Sequence, residues 1–244
     1  MMTDIPVYIF PLLFIVAVLY SSVGHGGASG YLALMGIAGV SLSSAKPAAL
    51  ILNCIVSIIA FMQYYRSGYF KTKIFLLLAI ASVSFAYLGG TLSLHDDLYK
   101  RILGAVLLFS AIRFLFPVTE NEESTEPHFI FLLFTGAGIG FLSGLIGIGG
   151  GIILTPLLIL MGWSKMKEAA CISALFIFVN SLSGLIAQFQ KGITLHSNMY
   201  ILILIATAGG LIGSYYGAKK WNILLLKKVL SVVLIIASLK LIFI

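Results

Sequence analysis

An all-α integral membrane protein is the fold class to expect from this sequence, on three observations. Of 244 residues, 60% are hydrophobic and 9% charged, against roughly a quarter charged in an ordinary soluble domain. Mean hydropathy is +1.11. The formal charge of +7 is carried by lysines and arginines that fall in short gaps between apolar runs rather than in one basic patch. A soluble core of this length has to show water a polar surface, and there are too few polar residues to make one. Lipid is therefore the solvent, and nucleic acid is not an expected partner.

The apolar runs fall at about 6–22, 30–40, 48–65, 74–92, 98–117, 128–146, 152–162, 169–190, 198–218 and 225–244. The first follows Met1-Met2-Thr3-Asp4, which has neither a basic stretch nor a cleavage site, so it reads as a retained span rather than a signal peptide. A spanning helix takes about 20 apolar residues, which makes the second and seventh runs too short to cross untilted. Both short runs follow glycine clusters, Gly24-His25-Gly26-Gly27 and Gly147-Ile148-Gly149-Gly150-Gly151. They are expected to be short discontinuous helices opened by glycine-rich loops. Gly136, Gly140 and Gly144, like Gly209, Gly213 and Gly217, recur every four residues and give faces on which helices approach closely. Cys54 and Cys171 lie inside apolar runs, so no disulfide framework is implied.

The chain also repeats itself. Asn53 and Asn180, Gln63 and Gln190, Lys100 and Lys227, and Arg113 and Lys240 each stand 127 residues apart, and the offset is 123 at the glycine clusters. The expected organisation is two pseudo-symmetric repeats of about five helical segments each, residues 1–117 and 128–244, joined by an acidic linker at 118–127 that carries Glu120, Glu122, Glu123 and Glu126. Five crossings per half invert the second copy relative to the first. With the loop holding Arg66, Lys71 and Lys73 in the cytoplasm, nine basic residues lie inside; four, Lys46, Lys100, Arg101 and Lys191, fall in outside loops. That bias favours inversion over parallel repeats and places both termini outside.

Clustered glycine disfavours helix, and unpaired backbone in hydrocarbon costs several kcal/mol per group, so the two glycine segments must line a protein-enclosed site. A glycine loop opening a helix presents free amides and the positive end of the helix dipole, which together attract an anion. Gly24, Gly26 and Gly27 on one side and Gly147, Gly149, Gly150 and Gly151 on the other are thus candidate binding residues, facing each other across one site. Two look-alike motifs lead nowhere. Gly27-Ala28-Ser29-Gly30 matches the Gly-x-Ser-Gly of rhomboid intramembrane proteases, but its histidine is local to the serine rather than on another helix. Gly147-Ile148-Gly149-Gly150 mimics part of a dinucleotide fingerprint without the preceding strand or the following acidic residue. No enzyme, cofactor or metal site is expected.

The run Gly147 to Leu158, which continues through Ile152-Ile153-Leu154-Thr155-Pro156, resembles the TauE/SafE family of sulfite and sulfonate transporters. The first half departs from the motif: His25 interrupts its glycines, and Ala33 stands where Pro156 would repeat. The resemblance implies movement of a small sulfur-containing anion, sulfite or an organosulfonate, across a bacterial inner membrane. On that basis His25, with Ser22 and Ser29, is expected to donate to the anion, and its titration near neutral pH would couple binding to protons. Asn53 and Asn180 are expected in the cavity, each weakening binding when removed. Thr155 and Ser181, with Ser57 and Ser173, complete a hydroxyl and amide shell for sulfonate oxygens. Gln63 and Gln190, near the membrane surfaces, look like gate or cap residues. A channel-like anion conductor is the alternative, and an intramembrane enzyme a more distant one. A homodimer is compatible with all of these.

Overall fold

The computed structural model describes residues 6–116, 127–192 and 199–243. The acidic linker, apart from Pro127, lies outside the described residues, as do Asp4 and His196. Ten helices follow in order: α1 Ile9–Ser21, α2 Ala28–Ile37, α3 Leu42–Arg66, α4 Thr72–Thr91, α5 Asp96–Leu115, α6 Phe129–Ile146, α7 Gly151–Leu160, α8 Met166–Gln190, α9 Met199–Lys219 and α10 Ile223–Phe243. No strand occurs among the described residues.

Helix length follows the apolar runs. Stretches at Ser44–Arg66, Thr72–Thr91, Phe129–Ile146, Met166–Gln190 and Tyr200–Lys219 are long and apolar enough to cross a membrane. The ten residues of α2 and of α7 span about 15 Å each, half the hydrocarbon thickness. Polarity is arranged for lipid: Phe134, Tyr200 and Leu204 are 70–75% exposed, while Asn53, Ser57, Thr155, Ser173, Asn180 and Ser181 are fully buried.

Helix directions follow from contacts at the two faces. On one face the end of α8 meets the end of α4, where Gln188 Nε2 donates to Gly90 O and Lys191 Nζ to Leu92 O, both at 3.0 Å. On the opposite face the end of α3 meets the start of α8, where Lys71 pairs with Glu168 at 2.9 Å. Helices α3 and α8 therefore run antiparallel, and they touch midway, where Asn53 Nδ2 donates to Ser181 Oγ at 2.7 Å. The glycine ladders act as seams. A Cβ on Gly136, Gly140 or Gly144 of α6 would overlap the backbone of Leu78, Ser82 or Ala86 of α4 in turn, so these two helices pack in parallel. Gly209, Gly213 and Gly217 of α9 lie in the same way on Phe14, Val18 and Ser22 of α1. Such close approach supplies the packing attraction and backbone contact that hold helices together in lipid, where no hydrophobic force acts between them.

Two expectations need correction. Lys46 is not in an outer loop. It lies within the second turn of α3, 8% exposed, with its Nζ donating to Leu145 O at 2.8 Å. The helix runs on through Pro47, so the weakly apolar stretch before residue 48 joins the span. Secondly, α3 and α8 both have 25 residues and are offset by 124 at both ends. Asn53 is thus the twelfth residue of its helix and Asn180 the fifteenth of its own. The offset becomes 127 only at the starts of α4 and α9, because the connection after α8 is three residues longer than the one after α3. Aligned by the ends of these two helices, Ser57 answers to Ser181, and Asn180 to Val56.

Candidate functional site: two glycine loops meeting at Asn53

Each short helix is opened by a glycine in the left-handed region, Gly27 at φ +97° and Gly150 at φ +80°. That conformation penalises any side chain and costs glycine little. The loops enter from opposite faces. Gly24 packs against Ala170 at the start of α8, and Gly147, which caps the C-terminus of α6, packs against the stem of Lys46 near the start of α3. A buried tyrosine anchors the head of each loop: Tyr64 donates to Ser22 O at 2.7 Å, and Tyr99 to Ile146 O at 2.6 Å. A buried tyrosine hydroxyl usually finds a hydrogen-bond partner. That rule is the one sequence signal that points to these two residues.

Asn53 lies between the loops. Its Oδ1 accepts from the Ala28 amide at 3.1 Å, and its Nδ2 donates to Ser181 Oγ at 2.7 Å and, more weakly, toward Ile148 O at 3.4 Å. The side chain fits only because Gly26 and Gly149 carry no Cβ; one at either position would overlap the Asn53 amide. Helix geometry leaves the first amides of α2 and α7 without intrahelical acceptors; that of Ala28, opening α2, reaches Asn53 Oδ1, while the loop before α7 presents the Ile148 carbonyl to Asn53 Nδ2. Gly151 abuts Ile177, and its carbonyl faces His25 Nε2 at 3.1 Å.

His25 ties the two loops together. Its Nδ1 lies 3.1 Å from Val23 O, Nε2 also lies 3.4 Å from Thr155 Oγ1, and Phe114 packs edge-on against the ring. Thr155 in turn donates to Ser173 Oγ at 2.7 Å. The geometry thus sets two hydrogen-bonded groups at the glycine loops: Asn53 with the Ala28 amide, the Ile148 carbonyl and Ser181, between Gly26 and Gly149, and His25 with the Val23 and Gly151 carbonyls and Thr155.

Other candidates stand apart from them. Ser22 Oγ turns back to Leu19 O at 2.7 Å, and Ser29 Oγ donates to Tyr20 OH at 3.0 Å. Asn180 Nδ2 bonds Phe176 O of its own helix at 2.9 Å, leaving a buried Oδ1 with no partner among the described residues. Gln63 lies half-buried near the end of α3, and the exposed Gln190 accepts from Tyr87 at the end of α8. Among the described residues no group of three or more His, Cys, Asp or Glu is placed to hold a metal.

Comparison with known proteins adds a family. Residues 9–241 match the family described as "Sulfite exporter TauE/SafE". A protein of Sinorhizobium fredii described as "Probable membrane transporter protein y4hK" is 33% identical over 233 residues, 93% of this chain and 94% of that one. Another from Bacillus subtilis, "Probable membrane transporter protein YdhB", is 24% identical over 244 residues, covering 95% and 98%. No solved structure matches the chain.

Proposed function

The chain belongs to the sulfite exporter TauE/SafE family and is a multi-pass membrane transporter, and on that footing we propose that it exports a small sulfur-containing oxyanion, sulfite or an organosulfonate, across the bacterial inner membrane. The observation that carries this reading is the meeting of the two glycine loops at Asn53, where the Ala28 amide that opens α2 reaches the buried side chain and Gly149, just ahead of α7, abuts it. Anion oxygens accept there from the first amides of α2 and α7, from Asn53 Nδ2 and from the Ser181 hydroxyl, with Thr155 and His25 behind them. Asn53 Oδ1 holds the Ala28 amide in the described arrangement, so the anion binds by taking that amide over as the neutral side chain turns aside.

The same proposal makes residues 1–117 and 128–244 inverted halves joined by the linker at 118–127. Packing partners exchange between them in support of this: α1 lies on α9 and α6 on α4, α2 on α10 and α7 on α5, while α3 pairs with α8 and α5 with α10. Binding at the interface of two such repeats suits alternating access. Lys71, Lys167 and the end of α9 gather on one face, where Lys167 Nζ donates to Ala218 O at 3.2 Å. The positive-inside bias supports a cytoplasmic position for that face and both termini outside.

Export accords with the charges. Among the described residues the carboxylates, Asp96, Asp97 and Glu168, sit in the first turns of α5 and α8, and none is placed to relay a proton at the midplane. An inside-negative potential drives a free anion outward by roughly 2.3 kcal/mol per elementary charge per 100 mV, and export needs no other coupling. A panel of oxyanions tested on the detergent-purified protein by thermal unfolding checks the substrate class, because a ligand at about 100 times its Kd stabilises by about 2.7 kcal/mol. Sulfite or an organosulfonate should raise the unfolding temperature well above chloride. Equal shifts with every anion would overturn the assignment.

A further inference from the structure

Lys46 has no role in the network around Asn53, yet among the described residues it is the one charged side chain that is buried. It is 8% exposed, and among the described residues no carboxylate pairs with it. A further charge on the same face is a like one, Lys191, at the C-terminal end of α8. Its ammonium has three donors. One goes to Leu145 O, in the last turn of α6, where the negative end of that helix offers only partial compensation. The other two have no protein acceptor among the described residues. A buried ammonium so placed is costly unless an anion pairs with it.

Its position says which anion. The Lys46 stem packs on Gly147, where a Cβ would stand 2.8 Å from Lys46 Cγ, so it flanks the second glycine loop directly. Along α3 it precedes Asn53 by seven residues, which puts both on the same helical stripe, about 10 Å apart along the axis. Beyond it, on the same face, lies Lys191. We propose that Lys46 is a substrate-binding residue of this transporter, its ammonium pairing with the transported oxyanion between the junction at Asn53 and the outer face. The inference depends on the oxyanion-export reading above and adds to it a charged contact on the exit side.

The test uses the purified full chain in phospholipid-free detergent, so that no lipid headgroup competes, with sulfite as the probe and thermal unfolding as the readout. In Lys46→Gln the sulfite concentration giving half-maximal stabilisation should rise roughly tenfold or more, the loss expected for a charge-assisted contact, and Lys46→Arg should restore most of it. Without sulfite, Lys46→Met should unfold at a higher temperature than the parent, because an unpaired buried charge is gone. A merely structural lysine gives the reverse: Lys46→Met unfolds at a lower temperature, and Lys46→Gln binds sulfite as the parent does. Either of those results overturns the assignment of Lys46 alone. A parent that neither sulfite nor any sulfonate stabilises overturns the export reading and this inference with it.

Discussion

Replacing Asn53 or Asn180 by alanine removes the same atoms from two fully buried positions, and the two changes should have different consequences. Asn53→Ala strands the Ala28 amide and the Ser181 hydroxyl, which Asn53 holds at 3.1 and 2.7 Å. Each buried group left unpaired costs about 1–3 kcal/mol, so the two together should cost about 2–6 kcal/mol, a drop in Tm of roughly 5–25 °C for a chain of this size. Asn180→Ala removes one bond, to the Phe176 carbonyl of its own helix, and with it a buried Oδ1 that has no partner. Those two effects oppose each other, and the net change should stay within about 1 kcal/mol. Sulfite flux per molecule in proteoliposomes should fall roughly tenfold or more in Asn53→Ala and stay near the parent in Asn180→Ala. Circular dichroism melting in detergent and flux from the same preparations measure both. Equal losses in the two variants, or a larger loss in Asn180→Ala, would refute the placement of Asn53 at the junction.

Gly149 sits at φ +74°, and a Cβ there would lie 2.7 Å from Ser181 Oγ and overlap the Asn53 amide; Gly149→Val should reduce flux to background while the protein still inserts and elutes as one species, and parent-level flux would count against the loop as a binding element. Gly140 lies on the α4 backbone at Ser82, so Gly140→Leu should lower stability by about 3 kcal/mol or more through overpacking; an unchanged melting curve would deny the seam. His25→Gln keeps a donor for the Gly151 carbonyl but cannot titrate, so it should retain potential-driven flux and lose whatever dependence on a pH gradient the parent shows. Equal pH-gradient dependence in parent and variant would make His25 a structural tie.

The ten helices were legible because each apolar run is bounded by charged or glycine-rich residues, and in lipid that pattern has few other solutions. The two glycine clusters were legible as helix openings for the same reason: Gly27 and Gly150 adopt the left-handed conformation that glycine tolerates best. What stayed hidden were partnerships between distant segments. Lys46 reads as a loop residue because Ser43, Ser44 and Pro47 surround it in sequence, and only the approach of Leu145 reveals its burial. Asn53 and Asn180, 127 residues apart, do not fall at matching positions of α3 and α8, whose ends are offset by 124. Spacing alone could not separate the asparagine that bridges both loops from the one that bonds its own helix. Tyr64 and Tyr99 were hidden by their apolar setting, since nothing local shows that their hydroxyls hold the loop carbonyls of Ser22 and Ile146.

Efflux of radiolabelled sulfite from proteoliposomes under an imposed inside-negative potential decides whether an oxyanion passes through the junction at Asn53. About 100 mV corresponds to a ratio of roughly fiftyfold per charge at equilibrium. The parent should release sulfite faster as the interior is made more negative, and Gly149→Val liposomes should match protein-free ones. Sulfite efflux that is indifferent to the potential and identical in parent, Gly149→Val and protein-free liposomes would contradict oxyanion export through the paired glycine loops.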